Sequence, residues 1–221
     1  FDWLTKEDNS AHFRNIGLIV IALVGTPLAI WRTLIASKNI VINDRKSIAD
    51  TFTKAIEQLG ATSGDQPNIE VRLGAIYSLE ELSKINIRYF NPIMEIFAGY
   101  VRQNAPLIPE ENSIPDSVRI DVQAVLTVLC RSDRDFDSDH DSLLDLSNTC
   151  LRGANLQSGN LDGVNFSGSD LKKADFSRTF LSESNFADAN LAEANFQMAA
   201  LFLANFNRAN AEEADFSYAF L

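Results

Sequence analysis

A chain of 221 residues, 46% of them hydrophobic, has material for one or two domains with proper cores, and long structureless stretches are not expected. The net charge of −11 excludes a binding mode built on phosphate backbones, which needs Lys and Arg in excess. The two cysteines, Cys130 and Cys150, exclude a disulfide framework and fit a reducing compartment or indifference to redox.

From Asn15 to Trp31 there is no charge, and as a helix these 17 residues span ~26 Å, slightly under the ~30 Å of a hydrocarbon core. If Arg32 snorkels, the apolar run extends through Ala36 and becomes long enough. Trp31 beside Arg32 suits one headgroup boundary and Arg14 the other. Residues 1–40 are therefore expected to be a membrane anchor with its transmembrane helix at about 15–36. A buried core helix, or one lying on the membrane, is the alternative reading. No small-x-small cleavage site occurs before Trp31, which argues against a signal peptide. Basic residues after the segment (Arg32, Lys38, Arg45, Lys46) outnumber those before it (Lys6, Arg14), favouring a cytoplasmic side for the C-terminal domains.

Residues 41–131 read as a small α-helical domain. Val41, Ile48, Phe52, Ala55 and Leu59 recur at helical spacing, and Gly60 is placed to end that helix as a C′ residue. Asn68 is placed to cap a second helix, with Val71, Ala75, Leu79 and Leu82 on one face and Leu73 and Ile76 adjoining. Its stretch 71–82 looks like one helix of a HEAT-type repeat. Asn91-Pro92 predicts the start of a third helix with Ile93, Ile96, Phe97, Tyr100 and Val101 inward. Pro106, Pro109 and Pro115 predict a surface loop over 103–115. A fourth helix from Asp116 or Ser117 would carry Ile120, Val122, Val125, Leu126 and Leu129. Asp at five alternate positions in 133–141 invites a calcium reading, but an EF-hand loop counted from Asp133 would need Gly at Ser138 and Glu at Leu144. A solvated acidic hinge over 132–143 is the stronger reading.

From Leu146 onward every fifth residue is large and apolar with the one exception of Ala211, through Phe166, Leu171, Phe176, Leu181, Phe186, Leu191, Phe196, Leu201, Phe206 and Phe216 to Leu221. Two positions earlier stands a mostly small residue such as Ala154, Ala174 or Ala194, and between the two usually Asn or Asp. A repeat at fixed period means stacked units, each burying its apolar side on its neighbours. The unit Ala-Asn-Leu-x-x resembles the pentapeptide-repeat family over residues 144–221. That resemblance implies a right-handed quadrilateral β-helix with one unit per side and four per coil. The fold class is then α+β: a transmembrane helix, a small helical domain and a β-helix of about four coils, ~19 Å tall at ~4.8 Å per layer.

On that geometry residues 20 apart stack. Phe166, Phe186 and Phe206 fall on the first side, Leu151, Leu171 and Leu191 on the second, Phe176, Phe196 and Phe216 on the third, and Leu161, Leu181, Leu201 and Leu221 on the fourth. The outward positions are mostly polar except near the fourth side. There Phe180, Ala200 and Phe220 precede the centres, and Met198, Phe202, Leu203 and Tyr218 lie on or beside them. This apolar patch grows toward the C-terminal coils and marks a contact site for a protein partner or a second copy, or else a surface covered by further chain or by the protein's own helices.

The strings at 27–32 (Pro-Leu-Ala-Ile-Trp-Arg), 52–60 (Phe-Thr-Lys-Ala-Ile-Glu-Gln-Leu-Gly), 71–80 and 121–126 resemble bacterial membrane-anchored pentapeptide-repeat proteins, in which a helical segment links a membrane helix to the repeats. The resemblance implies an architecture at the bacterial inner membrane with cytoplasmic C-terminal domains, and no chemistry. The residues agree. There are two histidines, no glycine-rich phosphate loop, no metal-spaced Cys/His cluster and no nucleophile elbow, so neither an enzyme nor a cofactor is expected. An interaction scaffold, standing alone or as accessory subunit of a larger membrane complex, is the leading expectation. The alternative is DNA mimicry, by which some soluble family members protect DNA gyrase. The charge of −5 on residues 144–221 is compatible with it; the short rod, the anchor and Lys172, Lys173, Arg178 and Arg208 speak against it.

Overall fold

The computed structural model describes residues 26–107, 117–132 and 144–221, apart from the side chains at 26–27 and 39–44. Among them are helices α1 (Thr26–Leu59), α2 (Ile69–Ile85), α3 (Ile87–Asn104) and α4 (Ile120–Arg131). A two-residue hairpin, β1 (Thr62–Ser63) and β2 (Gln66–Pro67), joins α1 to α2. The chain divides into two compact units, residues 1–51 and 52–221, and α1 contributes to both.

Of the expected membrane span, Arg14 and residues 15–25 lie outside the described residues, as do residues 133–143 of the acidic hinge expected over 132–143. Trp31 and Arg32 are in α1, which runs unbroken through position 40, where the sequence divides anchor from helical domain. Leu28, Ile30, Trp31, Leu34 and Ile35 are all exposed. Among the described residues no helix is long and apolar enough to cross a membrane.

In the second unit the helical boundaries correct three expectations. The helix ends at Leu59 as expected, but Gly60 does not adopt the left-handed conformation. That role falls to Gly64 (φ +64°), because a two-residue hairpin loop requires positive φ. The Asn68 cap is as predicted, its side chain accepting the Val71 N–H at 3.3 Å. Helix α3 starts at Ile87 rather than Pro92. Asn86 closes α2 through its N–H to the Leu82 carbonyl and opens α3 by accepting the Arg88 N–H at 3.1 Å. Pro92 sits inside α3 on its exposed side and forgoes one backbone bond.

Helix α4 starts at Ile120 rather than at 116–117, and Ile120 points outward. The reason is its neighbour. Asp121 is fully buried and accepts from the Tyr100 hydroxyl (2.6 Å), Arg119 Nε (2.8 Å), Arg72 Nη1 (3.4 Å) and the Val122 N–H (3.0 Å). Arg72, also buried, donates in addition to the Ala61 carbonyl and Asn104. Buried charges persist only when paired and fully hydrogen-bonded, so this cluster sets the rotation of α4 about its axis. Behind it Ile76, Leu79, Ile93, Phe97, Val122, Val125 and Leu126 form the helical core.

From Leu144 to Leu221 the chain is a four-sided β-helix. Parallel bridges join residues 20 apart along the whole run, from Asp145–Asn165 to Ala200–Phe220. The centres Leu151, Leu161, Phe166, Leu171, Phe176, Leu181, Phe186, Leu191 and Phe196 are sealed from solvent, Leu201 nearly so, while Phe206 and Phe216 in the last coil are half-buried. The phenylalanine columns stack at 4.8–5.2 Å within a side. Across the core they meet edge to face at 5.6–6.0 Å, the arrangement that ring quadrupoles favour. Small residues fill the remaining inward positions; where these are Thr149, Thr179 or Ser184, the hydroxyl donates to a carbonyl of the coil wall.

The N-terminal end of this rod is closed by the helices. The first coil would leave backbone donors open, and each finds an acceptor. Cys150 N–H donates to the Ala105 carbonyl (2.8 Å), Asn155 N–H to Gln123 Oε1 (3.0 Å) and Asn160 N–H to the Cys130 carbonyl (2.8 Å). Pro106 bridges Thr149, so the start of the loop expected over 103–115 is helix to Asn104 and then a cap on the first coil, while 108–115 lie outside the described residues. Gly159 is required by the same contact: a Cβ there would lie 2.8 Å from the Cys130 side chain.

Candidate interaction surface

Each five-residue unit turns a corner through a residue with positive φ, and twelve of these corners are not glycine. A left-handed L-residue costs roughly 1 kcal/mol or more, so the coil needs compensation at other positions. The position before each centre supplies it on three sides. The side-chain oxygen there accepts the N–H two residues on, and where it belongs to Asn, the amide donates to its counterpart one coil earlier. On the first side Asn165 donates to Asp145 (3.0 Å), Asn185 to Asn165 (3.1 Å) and Asn205 to Asn185 (2.9 Å). Asn190 to Asp170 and Asn210 to Asn190 do the same on the second side, and Asn195 to Asp175 on the third.

The fourth side has no such ladder. Its column reads Asn160, Phe180, Ala200, Phe220, bridged backbone to backbone and offering no amide above Asn160. The Ser182 N–H, which an Asn at position 180 would accept, is instead taken by the Asp162 carboxylate at 2.6 Å. The aromatic rings of this column are open to solvent, Phe180 at 56% and Phe220 at 70%. Phe202 (62%), Leu203 and Met198 are exposed around them, and Tyr218 most of all at 80%. Gln157 and Gln197 reach the carboxylates 18 residues on, at Asp175 and Asp215. The structure thus brings all six residues singled out in the sequence to one side of the rod and its two corners.

Sequence reasoning missed the polar features. The Asp121 cluster joins residues far apart in sequence and has no motif. Burial raises the Asp121 carboxyl, but hydrogen bonds from Arg119 and Tyr100 outweigh it and hold it at about 2. Burial and Asp121 together push the Tyr100 hydroxyl up to about 12. Burial also works to raise Glu80, but Arg131 and Lys84 outweigh it and hold the carboxyl below its usual range. These groups are locked in one protonation state, which suits structure. Burial pushes the Cys130 thiol up to about 12 and raises Cys150 as well, so neither is primed as a nucleophile. A cavity of about 500 Å³ opens between Ala105, Pro106, Arg119, Ile120 and Cys150. Its cations, Arg119 and Arg152, are committed to Asp121 and Asp170.

Comparison with known proteins bears on the β-helix. The family model for pentapeptide repeats matches residues 149–188 and 169–208, in eight copies. Among solved structures, a pentapeptide repeat protein from the Arabidopsis thaliana thylakoid lumen aligns at 28% identity over 34% of this chain and 53% of its own, with a TM-score of 0.34. One from Nostoc PCC 7120 aligns at 31% identity over 34% of this chain and 62% of its own, with a TM-score of 0.33. A plasmid-mediated fluoroquinolone resistance protein aligns at 27% identity over 35% and 41% of the two chains, with a TM-score of 0.18. The matched region thus spans just over half to three fifths of the first two relatives. No curated protein sequence matches. Residues 149–208 thus match the pentapeptide-repeat model in eight copies, and the 20-residue stacking from Asp145 to Phe220 gives the C-terminal domain the four-sided coil that this repeat implies.

Proposed function

We propose that this chain is a non-enzymatic, membrane-anchored interaction scaffold that presents the fourth side of its β-helix to a protein partner, alone or as accessory subunit of a larger membrane complex. The observation that carries the reading is the broken ladder. Asn185 on the first side makes three side-chain hydrogen bonds, two along the ladder and one to the corner. At Phe180 the ladder bonds are given up, the corner N–H passes to Asp162, and a largely exposed ring stands in their place. The fold gains little from that exchange, since each such bond is worth about 1 kcal/mol and more than half of the Phe180 surface stays in water. A contiguous exposed apolar patch of this kind is a contact site.

The anchor is supported by the uncharged run 15–31 and by the exposed Leu28, Ile30, Trp31, Leu34 and Ile35, with the first two basic residues after the run at Arg32 and Lys38. Alkaline extraction of membranes should leave the chain in the pellet, and deleting residues 1–36 should release it. DNA mimicry fits the surface less well, because Asp170, Asp188 and Glu193 are ion-paired with Arg152, Arg208 and the two lysines Lys172 and Lys173. To test the docking face, a photocrosslinking residue at Phe180 in the intact chain should yield a covalent protein adduct in its native cells, and one at Gln157, on the third side, should not. Adducts from neither position would remove the proposal.

A further inference from the structure

The charges bordering the fourth side bear on what would cover it. The β-helix has five basic residues: Arg152, Lys172, Lys173, Arg178 and Arg208. Four are in ion pairs within the chain: Arg152 with Asp170, both lysines with Glu193, and Arg208 with Asp188. Among the described residues, Arg178 makes no ion pair, and neither does Glu183. These two stand at opposite corners of the fourth side, in the same coil, flanking Phe180. The face therefore carries a plus on one edge and a minus on the other, level with each other.

Such a face complements itself under a twofold axis parallel to the rod. Rotation about that axis lays Arg178 of one copy against Glu183 of the other, twice. It also sets Met198 opposite Phe202 and Leu203, and brings Phe180, Ala200 and Phe220 each to its own counterpart on the axis. An antiparallel arrangement would instead set corners of the same kind against each other and leave Arg178 opposite no carboxylate of its own coil level. The area is of the right size. At ~200 Å² per aromatic side chain, the exposed parts of Phe180, Phe202, Tyr218 and Phe220 offer on the order of 500 Å². Met198, Leu203 and the stems of Arg178 and Glu183 bring this toward the ~800 Å² per partner of a standard interface.

We propose that the fourth side is an isologous interface between two copies of this chain lying side by side with their rods parallel, closed by two Arg178–Glu183 ion pairs across a seam of Phe180, Phe202 and Phe220. The inference rests on the docking face proposed above and names its occupant. It is also the arrangement in which the N-terminal ends of both rods point the same way.

The test uses the purified intact chain in detergent and reads dimer affinity by sedimentation velocity. Arg178→Glu and Glu183→Arg, each alone, should weaken self-association at least tenfold, by setting like charges against each other. The double variant should recover most of the loss. A crosslinker at Phe180 should give a product of twice the chain mass. Both charged residues are exposed corners, so folding is checked simply by unchanged circular dichroism. A dimer whose affinity ignores all three variants places the contact on another surface and overturns the proposal. A monomeric chain whose Phe180 crosslinker captures a different protein in cells overturns it too, while leaving the docking face standing.

Discussion

The helical part and the β-helix hold themselves together by opposite strategies. In the β-helix each interaction is repeated. The ring stacks, the Asn amides and the corner bonds recur every 20 residues, so stability is close to a sum over coils and neighbours. In the helical part the decisive contacts occur once. Asp121 alone receives Tyr100, Arg119 and Arg72, and Glu80 alone receives Arg131 and Lys84. Damage to a repeated contact is shared among coils, whereas damage to a unique one is not. The fourth side departs from the repeat strategy inside the repeat itself, and this departure points to function.

The largest expected effect is at the unique cluster. Asp121→Ala leaves the buried Arg72 without its carboxylate and should cost about 3–5 kcal/mol in chemical denaturation. The same substitution at Asp215, an exposed carboxylate in the last coil, should cost less than about 1 kcal/mol. Equal losses would erase the contrast between the two regions.

Acid should act on the same cluster. The Asp121 carboxyl titrates at about 2 when folded, below its ordinary value of 3.8. A depressed folded value means that the stabilisation is complete above pH ~4 and is lost as pH falls toward 2, an effect of about 2 kcal/mol. Denaturation midpoints measured between pH 5 and 2 should fall accordingly, and should fall less steeply in Asp121→Asn.

Next in size is the junction of the two regions. Gly159→Ala drives a methyl group into Cys130, and overpacking of this kind costs roughly 1–3 kcal/mol. The loss should be smaller when Cys130 is changed to Gly in the same chain, a rescue readable by thermal melting.

The same contrast explains what could be read in advance. The β-helix was legible almost residue by residue, because a period of five repeated through sixteen centres averages out local exceptions such as Ala211. The four helices were legible as elements but not at their ends. Asn91-Pro92 carries a stronger local start signal than Asn86, yet Asn86 caps α3 because it also closes α2, a double role that no single window contains. Ile120 fits the apolar series of α4, but Asp121 takes the inward direction because three partners from elsewhere in the chain or fold meet it there. The closing of the first coil by Ala105, Gln123 and Cys130 was invisible for the same reason. For the interaction surface, periodicity was enough to collect Phe180, Met198, Phe202, Leu203, Tyr218 and Phe220. The Asn ladders that make their presence anomalous needed side-chain geometry.

The central claim is that the rings of the fourth side are not needed by the fold, and Phe180→Asn tests it most directly. Measured by urea denaturation at a concentration where the chain is monomeric, the variant should be as stable as the parent or gain up to about 1 kcal/mol, as an amide begins to rebuild the missing ladder. The mirror change on the first side, Asn185→Phe, should lose about 1–2 kcal/mol, since two side-chain bonds and a corner contact go with it. A loss of more than about 1 kcal/mol in Phe180→Asn would show that the ring holds the coil together, and the account of the fourth side as a docking face would be wrong.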